Sequence, residues 1–139
     1  MDIWSKEKRS QVMSRIRGKD TKPELVVRSM LHKHGFRFRI HLRRLHGTPD
    51  IVLAKYKTVI FVHGCFWHQH KNCLNSVIPK TDTEKWSQKL NGNVERDRLN
   101  NGKLRKEGWK VVTIWECQIE RNMEKVAERI LHVLRETRT

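Results

Sequence analysis

Acidic residues are scarce in this chain. Its 139 residues carry 15 Asp and Glu against 30 Lys and Arg, a formal charge of +15, and an imbalance that large exceeds what solubility requires. The expected partner is a polyanion, nucleic acid first among them, although a solvated basic face would carry the same charge. The excess is uneven: residues 1–44 hold 13 Lys and Arg against 4 acids, which makes the N-terminal third the expected phosphate-contacting surface. Long apolar runs are missing too. No stretch approaches the roughly 20 residues of a membrane span, and "MDIWSKEKRS" lacks the apolar core of a secretion signal, so a cytoplasmic location is expected. The 3 cysteines cannot all pair within the chain, and a reducing compartment disfavours disulfides, which leaves metal ligation or simple burial. With no repeat, low-complexity segment or Pro/Gly/Ser-rich linker, nothing marks a domain boundary, and one domain over residues 1–139 is expected.

What is present reads as alternating elements. "KEKRSQVMSRIRG" predicts a first helix that stops at Gly18. "TKPE" reads as a capping box, with Thr21 as N-cap, Pro23 in the first turn and Glu24 reaching back to the Thr21 amide. Val27, Met30, Leu31 and His34 follow at helical spacing, and Gly35 can end that helix. "FRFRIH" alternates as a half-buried strand, with Phe36, Phe38 and Ile40 on one face. "DIVLA" and "TVIFV", joined by "KYK", suit a hairpin covered on both faces. "NVERDRLNNGKLRKEG" predicts a helix closed by Gly108, with Val94, Asp97, Asn101 and Leu104 on its inward stripe. "WKVVTIWE" is another strand, and Met123, Val126, Ile130 and Leu134 mark a last amphipathic helix. The order implies a mixed α/β sandwich.

Chemistry-bearing residues crowd into "FVHGCFWHQHKNC", residues 61–73. Cys65, His70 and Cys73 have four and two residues between them, a spacing that lets one loop wrap a tetrahedral ion, with Cys117 as a candidate fourth ligand after the strand "VVTIW". A closed Cys3His set is a structural zinc site; small buried cysteines are the alternative. Asp50 in "GTPD" stands at the mouth of a buried strand and His63 at a similar position one strand later. That is a nuclease-like arrangement: Asp50 can hold a divalent cation, His68 can move a proton, and Asp97 can orient a histidine. The bland readings are a turn residue for Asp50, a surface charge for Asp97 and a cap for Glu24. Phe66 and Trp67 lie in a loop where periodicity buries neither, and Trp86 stands in the polar run "DTEKWSQK". Such aromatics can wedge between base pairs; packing into a core is the alternative, and Trp109 and Trp115 are assigned to it. Met13 and Ile16 on the basic first helix can enter a minor groove or dock that helix on the protein body.

Taken together, "MSRIRGKDTKPE", "TPDIVL", "TVIFVHGCFWH", "NVERDR" and "GWKVVTIWEC" resemble the very-short-patch-repair (Vsr) DNA mismatch endonucleases over nearly the whole chain. "VIFVHGCFWH" with "NVERDR" carries most of that specificity. The resemblance implies a restriction-endonuclease-like core of the broad PD-(D/E)xK class, a mixed central β-sheet flanked by helices, with a structural zinc site. It implies magnesium-dependent nicking of one DNA strand, 5′ to the thymine of a T:G mismatch left by deamination of 5-methylcytosine. By position, Asp50 corresponds to the acid that holds Mg2+, helped by the main-chain carbonyl of Val62, and His63 and His68 to the pair that positions and deprotonates water. Asp97 corresponds to their acidic partner and Glu24 to a further active-site acid, with capping as a second job. Cys65, His70, Cys73 and Cys117 match the Zn2+ ligands. Phe66, Trp67 and Trp86 match the wedge, with Met13 and Ile16 entering from the minor-groove side and Lys89 among the DNA contacts. Threonine is usual where this chain has Val62; its hydroxyl is lost here, whereas a backbone contact survives. A monomer in the bacterial cytoplasm, associated with the nucleoid when acting, and contact with mismatch-repair proteins are further implications. Two other readings fit parts of the pattern: a zinc-stabilised DNA-binding protein without catalysis, and a nuclease of the same fold for another DNA structure.

Overall fold

The computed structural model describes residues 21–136. The expected N-terminal helix, with the 1–20 arm and its Met13 and Ile16, lies outside the described residues.

Helix α1 spans Lys22–Lys33. Thr21 caps it, its Oγ1 accepting from the Glu24 amide at 3.4 Å, and Pro23 sits in the first turn. Only half of the expected capping box forms. The Glu24 side chain turns away from Thr21 into the protein, where it is 1% exposed. His34 ends the helix and Gly35 leaves it at a φ of +80°, a left-handed conformation that costs glycine no steric penalty.

Strand β1 is only Arg39–Ile40, shorter than the alternation of "FRFRIH" implies. Phe36 and Phe38 pack against the core as expected, but Ile40 is 41% exposed. The backbone at His41 adopts a φ of +48° and ends the extended run there. Strands β2 (Ile51–Leu53) and β3 (Thr58–His63) form the expected antiparallel hairpin, its connection a single 3-10 turn over Ala54–Tyr56.

Helix α2 runs from Thr83 to Lys106 and so begins well before the expected start near Asn93. "NGN" at 91–93 reads locally as a break, yet Leu90 and Asn93 are both buried, and tertiary contact carries the helix through Gly92. Strand β4 (Lys110–Trp115) pairs with β3 in parallel, from Thr58 opposite Lys110 to His63 opposite Trp115. The chain then enters a short helix that periodicity did not announce, α3 (Glu116–Arg121), before the expected amphipathic helix α4 (Met123–Glu136). The Trp115 N–H donates to Gln118 Oε1 at 3.1 Å, tying the strand end to the first turn of α3.

The sheet order is β1-β2-β3-β4, a mixed sheet with helices on both faces, as expected. On one face Ile51, Leu53, Ile60, Val112 and Ile114 meet Val27 and Leu31 of α1 and Val126, Ile130 and Leu134 of α4. On the other, Val52, Val59 and Phe61 meet Leu104 of α2, with Trp109 against them. Leu104 is fully buried, and trimming such a leucine to alanine costs about 2–5 kcal/mol. Alternation along β3 therefore sends Val62 towards the α1 and α4 side and His63 towards α2. Among the described residues, no helix is long and apolar enough to cross a membrane.

Candidate active site and metal centre

The antiparallel pairing of β2 and β3 brings the start of one strand beside the end of the other. Asp50, just before β2, accepts a 2.7 Å hydrogen bond at Oδ2 from the Val62 N–H. Glu24 of α1 reaches the same place. His41 Nε2 lies 3.1 Å and 2.9 Å from the two Glu24 carboxylate oxygens, and Arg28 pairs with Glu24 along the helix. One donor atom from each of Glu24, His41 and Asp50 lies within 4.8 Å of the others. Burial raises the Asp50 carboxyl to about 7, against the hydrogen bond from Val62 and with help from the Glu24 charge beside it. Two buried carboxylates this close, the charge of Glu24 raising Asp50, are suited to a hard divalent cation, whose charge would offset theirs. The donor set thus fits the expected magnesium.

One residue beyond Val62, the chain delivers His63 to the α2 face. Its ring stacks on that of His68, centroids 3.7 Å apart and planes within 5°. His68 Nδ1 lies 2.6 Å from Asp97 Oδ2 of α2. Burial, and then the His68 charge, push the His63 pKa down to about 3. Its Nδ1 is buried without a hydrogen-bond partner. A cleft of about 370 Å³ opens beside these rings, lined also by Val94, Asn101 and Thr113. The stripe predicted on α2 therefore faces a cleft at Val94 and Asp97, and the apolar core only at Leu104; Val94 is 40% exposed.

The expected zinc ligands converge as well. Donor atoms of Cys65, His70, Cys73 and Cys117 lie within 4.8 Å of one another. His70 Nδ1 is 3.7 Å from Cys65 Sγ and 3.4 Å from Cys117 Sγ. Tetrahedral zinc with bonds near 2.3 Å to sulfur and 2.0–2.1 Å to nitrogen separates such ligands by about 3.6 Å, so this set fits that ion. Burial pushes the Cys65 thiol up to about 12, a cost that an ion binding the thiolate removes. Cys117 comes from the first turn of α3, the helix absent from the sequence expectation.

The aromatic residues also assemble. Phe66 stands edge-on to Trp67 at 5.1 Å and to Trp86 at 5.4 Å, and Trp67 lies 5.9 Å from Trp86. Lys89 Nζ sits 5.5 Å from the Trp67 ring. Phe66 and Trp86 are half-buried, but Trp67 is 6% exposed, which corrects the expectation that periodicity leaves it open: helix α2, starting early, lies alongside the loop, and Asn93 Nδ2 donates to the Trp67 carbonyl at 3.1 Å. Trp115, assigned to the core, instead stacks on His70 at 4.2 Å and meets His63 edge-on at 5.2 Å, so it joins the cysteine cluster to the histidine pair.

Sequence reasoning missed His41, Glu116 and Asn93. Strand parity groups His41 with Arg37 and Arg39, and nothing local signals its departure. Glu116 Oε1 accepts from the Cys65 amide at 2.9 Å; its place beside Cys117 was the available clue.

Comparison with known proteins sets the chain among DNA endonucleases. A model of the family described as DNA mismatch endonuclease Vsr matches residues 1–74. A type II nicking enzyme of Neisseria meningitidis serogroup A, V.NmeAIP, is 47% identical over 135 residues, covering 97% of this chain and 95% of that protein. The DNA mismatch endonuclease Vsr of Escherichia coli is 42% identical over 130 residues, covering 94% of this chain and 82% of its own. Among solved structures, the catalytic domain of the homing endonuclease I-Bth0305I superposes with a TM-score of 0.62 at 20% identity, over 86% of this chain and 100% of that one, a likeness of fold. With nearly the full length aligned to such relatives, the chain belongs to the Vsr family of DNA mismatch endonucleases.

Proposed function

We propose that this enzyme hydrolyses one phosphodiester bond 5′ to the thymine of a T:G mismatch in double-stranded DNA, with magnesium. The observation that carries the reading is the 2.6 Å contact between His68 and Asp97 beside stacked His63, one residue along β3 from the amide that holds Asp50.

The geometry supports the following roles. Asp50, Glu24 and the Val62 carbonyl would hold the cation, which would offset phosphate charge and make water easier to deprotonate. His68 donates its Nδ1 proton to Asp97, so its Nε2 keeps a lone pair to accept a proton from the attacking water. Asp97 then stabilises the imidazolium without itself being protonated. His63, held neutral by burial, orders the water and fixes the His68 ring by stacking. Val62 offers the cation site its backbone alone, the hydroxyl of the usual threonine being absent.

The zinc-bound thiolates and His70 hold the loop whose next residues do chemistry, and Phe66 and Trp86, backed by Trp67, part the bases beside the mismatch. Unstacking a step costs a few kcal/mol, and a mismatched step costs least. Lys89, and the basic segment with Met13 and Ile16, supply phosphate and minor-groove contacts. The enzyme acts as a single-domain monomer in the bacterial cytoplasm, where mismatch-repair proteins are candidate partners.

A DNA-binding protein without catalysis is disfavoured because it leaves the His68–Asp97 pair and the two buried carboxylates without a purpose. The test is a panel of end-labelled matched, T:G and branched duplexes in several sequence contexts, in magnesium and then in EDTA at the same salt. Magnesium-dependent nicking of T:G duplexes alone is expected. Cleavage of branched duplexes in preference would move the reading to another DNA structure, and binding without any cleavage would move it to a non-catalytic protein.

A further inference from the structure

Residue 41 is a histidine with three ties. Its backbone N–H donates to the Asp50 carbonyl at 3.2 Å. Its ring Nε2 lies 2.9 Å and 3.1 Å from the Glu24 oxygens and 3.4 Å from Arg28 Nη2. The side chain is 10% exposed, that of Glu24 2%. His41 is thus bonded to the segments of both acids: to one by its ring, to the other by its amide.

Its backbone conformation makes those ties possible. Ile40 pairs with Ile51 in the sheet, and continued alternation would group His41 with exposed Arg37 and Arg39. The φ of +48° at His41 takes the residue out of that alternation. A non-glycine residue in the left-handed region costs on the order of 1 kcal/mol or more and persists only where its surroundings hold it there.

The geometry points to His41 as a positioning residue of the cation site, one that sets where the Glu24 carboxylate stands relative to Asp50. Arg28, four residues along the same helix, pulls Glu24 along α1. His41 holds the same carboxylate from beside Arg28, 3.4 Å from its Nη2, and is fastened by its amide to the Asp50 carbonyl, so it ties the position of one acid to that of the other. The inference rests on the reading of Glu24 and Asp50 as cation-binding acids.

The test uses the full chain, thiols saturated with zinc, titrated with manganese as a spectroscopic probe and followed by electron paramagnetic resonance. Asparagine at 41 tolerates the left-handed backbone but is too short to reach Glu24, whereas glutamine can still present an amide N–H to it. His41→Asn should weaken manganese binding about 10–100-fold, as expected when a partner of a metal ligand is lost, and His41→Gln should recover most of it. Both variants should keep the parental melting temperature in EDTA. In nicking assays His41→Asn should raise the magnesium concentration needed by a similar factor, with the saturated rate close to parental. Parental manganese affinity in His41→Asn, or equal losses in Asn and Gln variants, would overturn the inference. Asp50→Ala separates the two layers: if it too keeps parental affinity, the site reading itself fails, and if it alone loses binding, only the role of His41 does.

Discussion

The 2.6 Å contact between His68 Nδ1 and Asp97 Oδ2 joins the loop that carries Cys65 and Cys73 to the middle of the longest described helix. It fixes the tautomer of His68 and the direction of its free nitrogen. Nothing in the spacing from 68 to 97 demands it; the parallel pairing of β3 and β4 does, because the crossover helix between those strands must lie against the face on which His63 and the following loop emerge.

That contact gives a sharp prediction. Asp97→Asn keeps size and shape but removes the charge that supports an imidazolium, and can stabilise the wrong tautomer. Single-turnover nicking on saturating T:G duplex should fall about 10²–10⁴-fold, with duplex binding in EDTA unchanged. An Asp97→Asn rate within threefold of the parent would remove Asp97 from the mechanism.

The Cys65, His70, Cys73 and Cys117 cluster, read as a zinc site, predicts coupling between metal and fold. One zinc per chain should be found by elemental analysis. Stripping it with a strong chelator should uncover the buried Cys65 thiol and lower the melting temperature by roughly 3–6 °C for each kcal/mol lost. Cys117→Ser should do the same without chelator, and because Trp115 stacks on His70 and touches His63, nicking should fall with it. A melting curve indifferent to chelation would show that the thiols are merely buried.

The aromatic cluster predicts a loss specific to distorted DNA. Phe66→Ala and Trp86→Ala each remove stacking worth about 1–3 kcal/mol per base, so affinity for a T:G duplex should drop about 5–150-fold. Affinity for matched duplex, set by phosphate contacts, should stay near parental. Equal losses on both duplexes would mean that these rings serve general binding or packing.

Gly47 supplies a prediction about stability and site together. It adopts a φ of +76°, and a Cβ there would lie 3.1 Å from Asn100 Cβ and 3.3 Å from Phe61 Cζ. Gly47→Ala should therefore destabilise by more than the ~1 kcal/mol expected of an incompatible backbone alone. Because the loop leads through Pro49 into Asp50, nicking should require more magnesium. Denaturant unfolding checks the first part; a variant as stable as the parent would mean that the loop relaxes freely.

Much of this was legible in residues whose local signal and tertiary role agree. The apolar runs of β2, β3 and β4 read as strands and fold as strands, and Gly35 and Gly108, both at positive φ, end helices where the pattern says helices end. Within the site, ligand spacing and motif resemblance named the residues that do converge at the cysteine cluster, the histidine pair and Asp50. What escaped was set by distant contacts. Helix α2 passes through Asn91 and Gly92 because Leu90 and Asn93 have burial partners elsewhere, and it buries Trp67 in doing so. His41 left its strand face through a backbone angle that no neighbour announces. Helix α3 is too short to show a period. At Gly92 and His41 a local preference of about a kcal/mol yielded to tertiary contacts worth more.

The most direct test of the central claim is the position of the nick. A duplex carrying one T:G mismatch, labelled in turn on each strand and paired with a T:A control, would be incubated with the enzyme and magnesium and read at single-nucleotide resolution. The account predicts a single break in the thymine strand, at the phosphate 5′ to the mismatched thymine, with the guanine strand and the control intact. Breaks in both strands, at another phosphate, or equally in the matched control would contradict it.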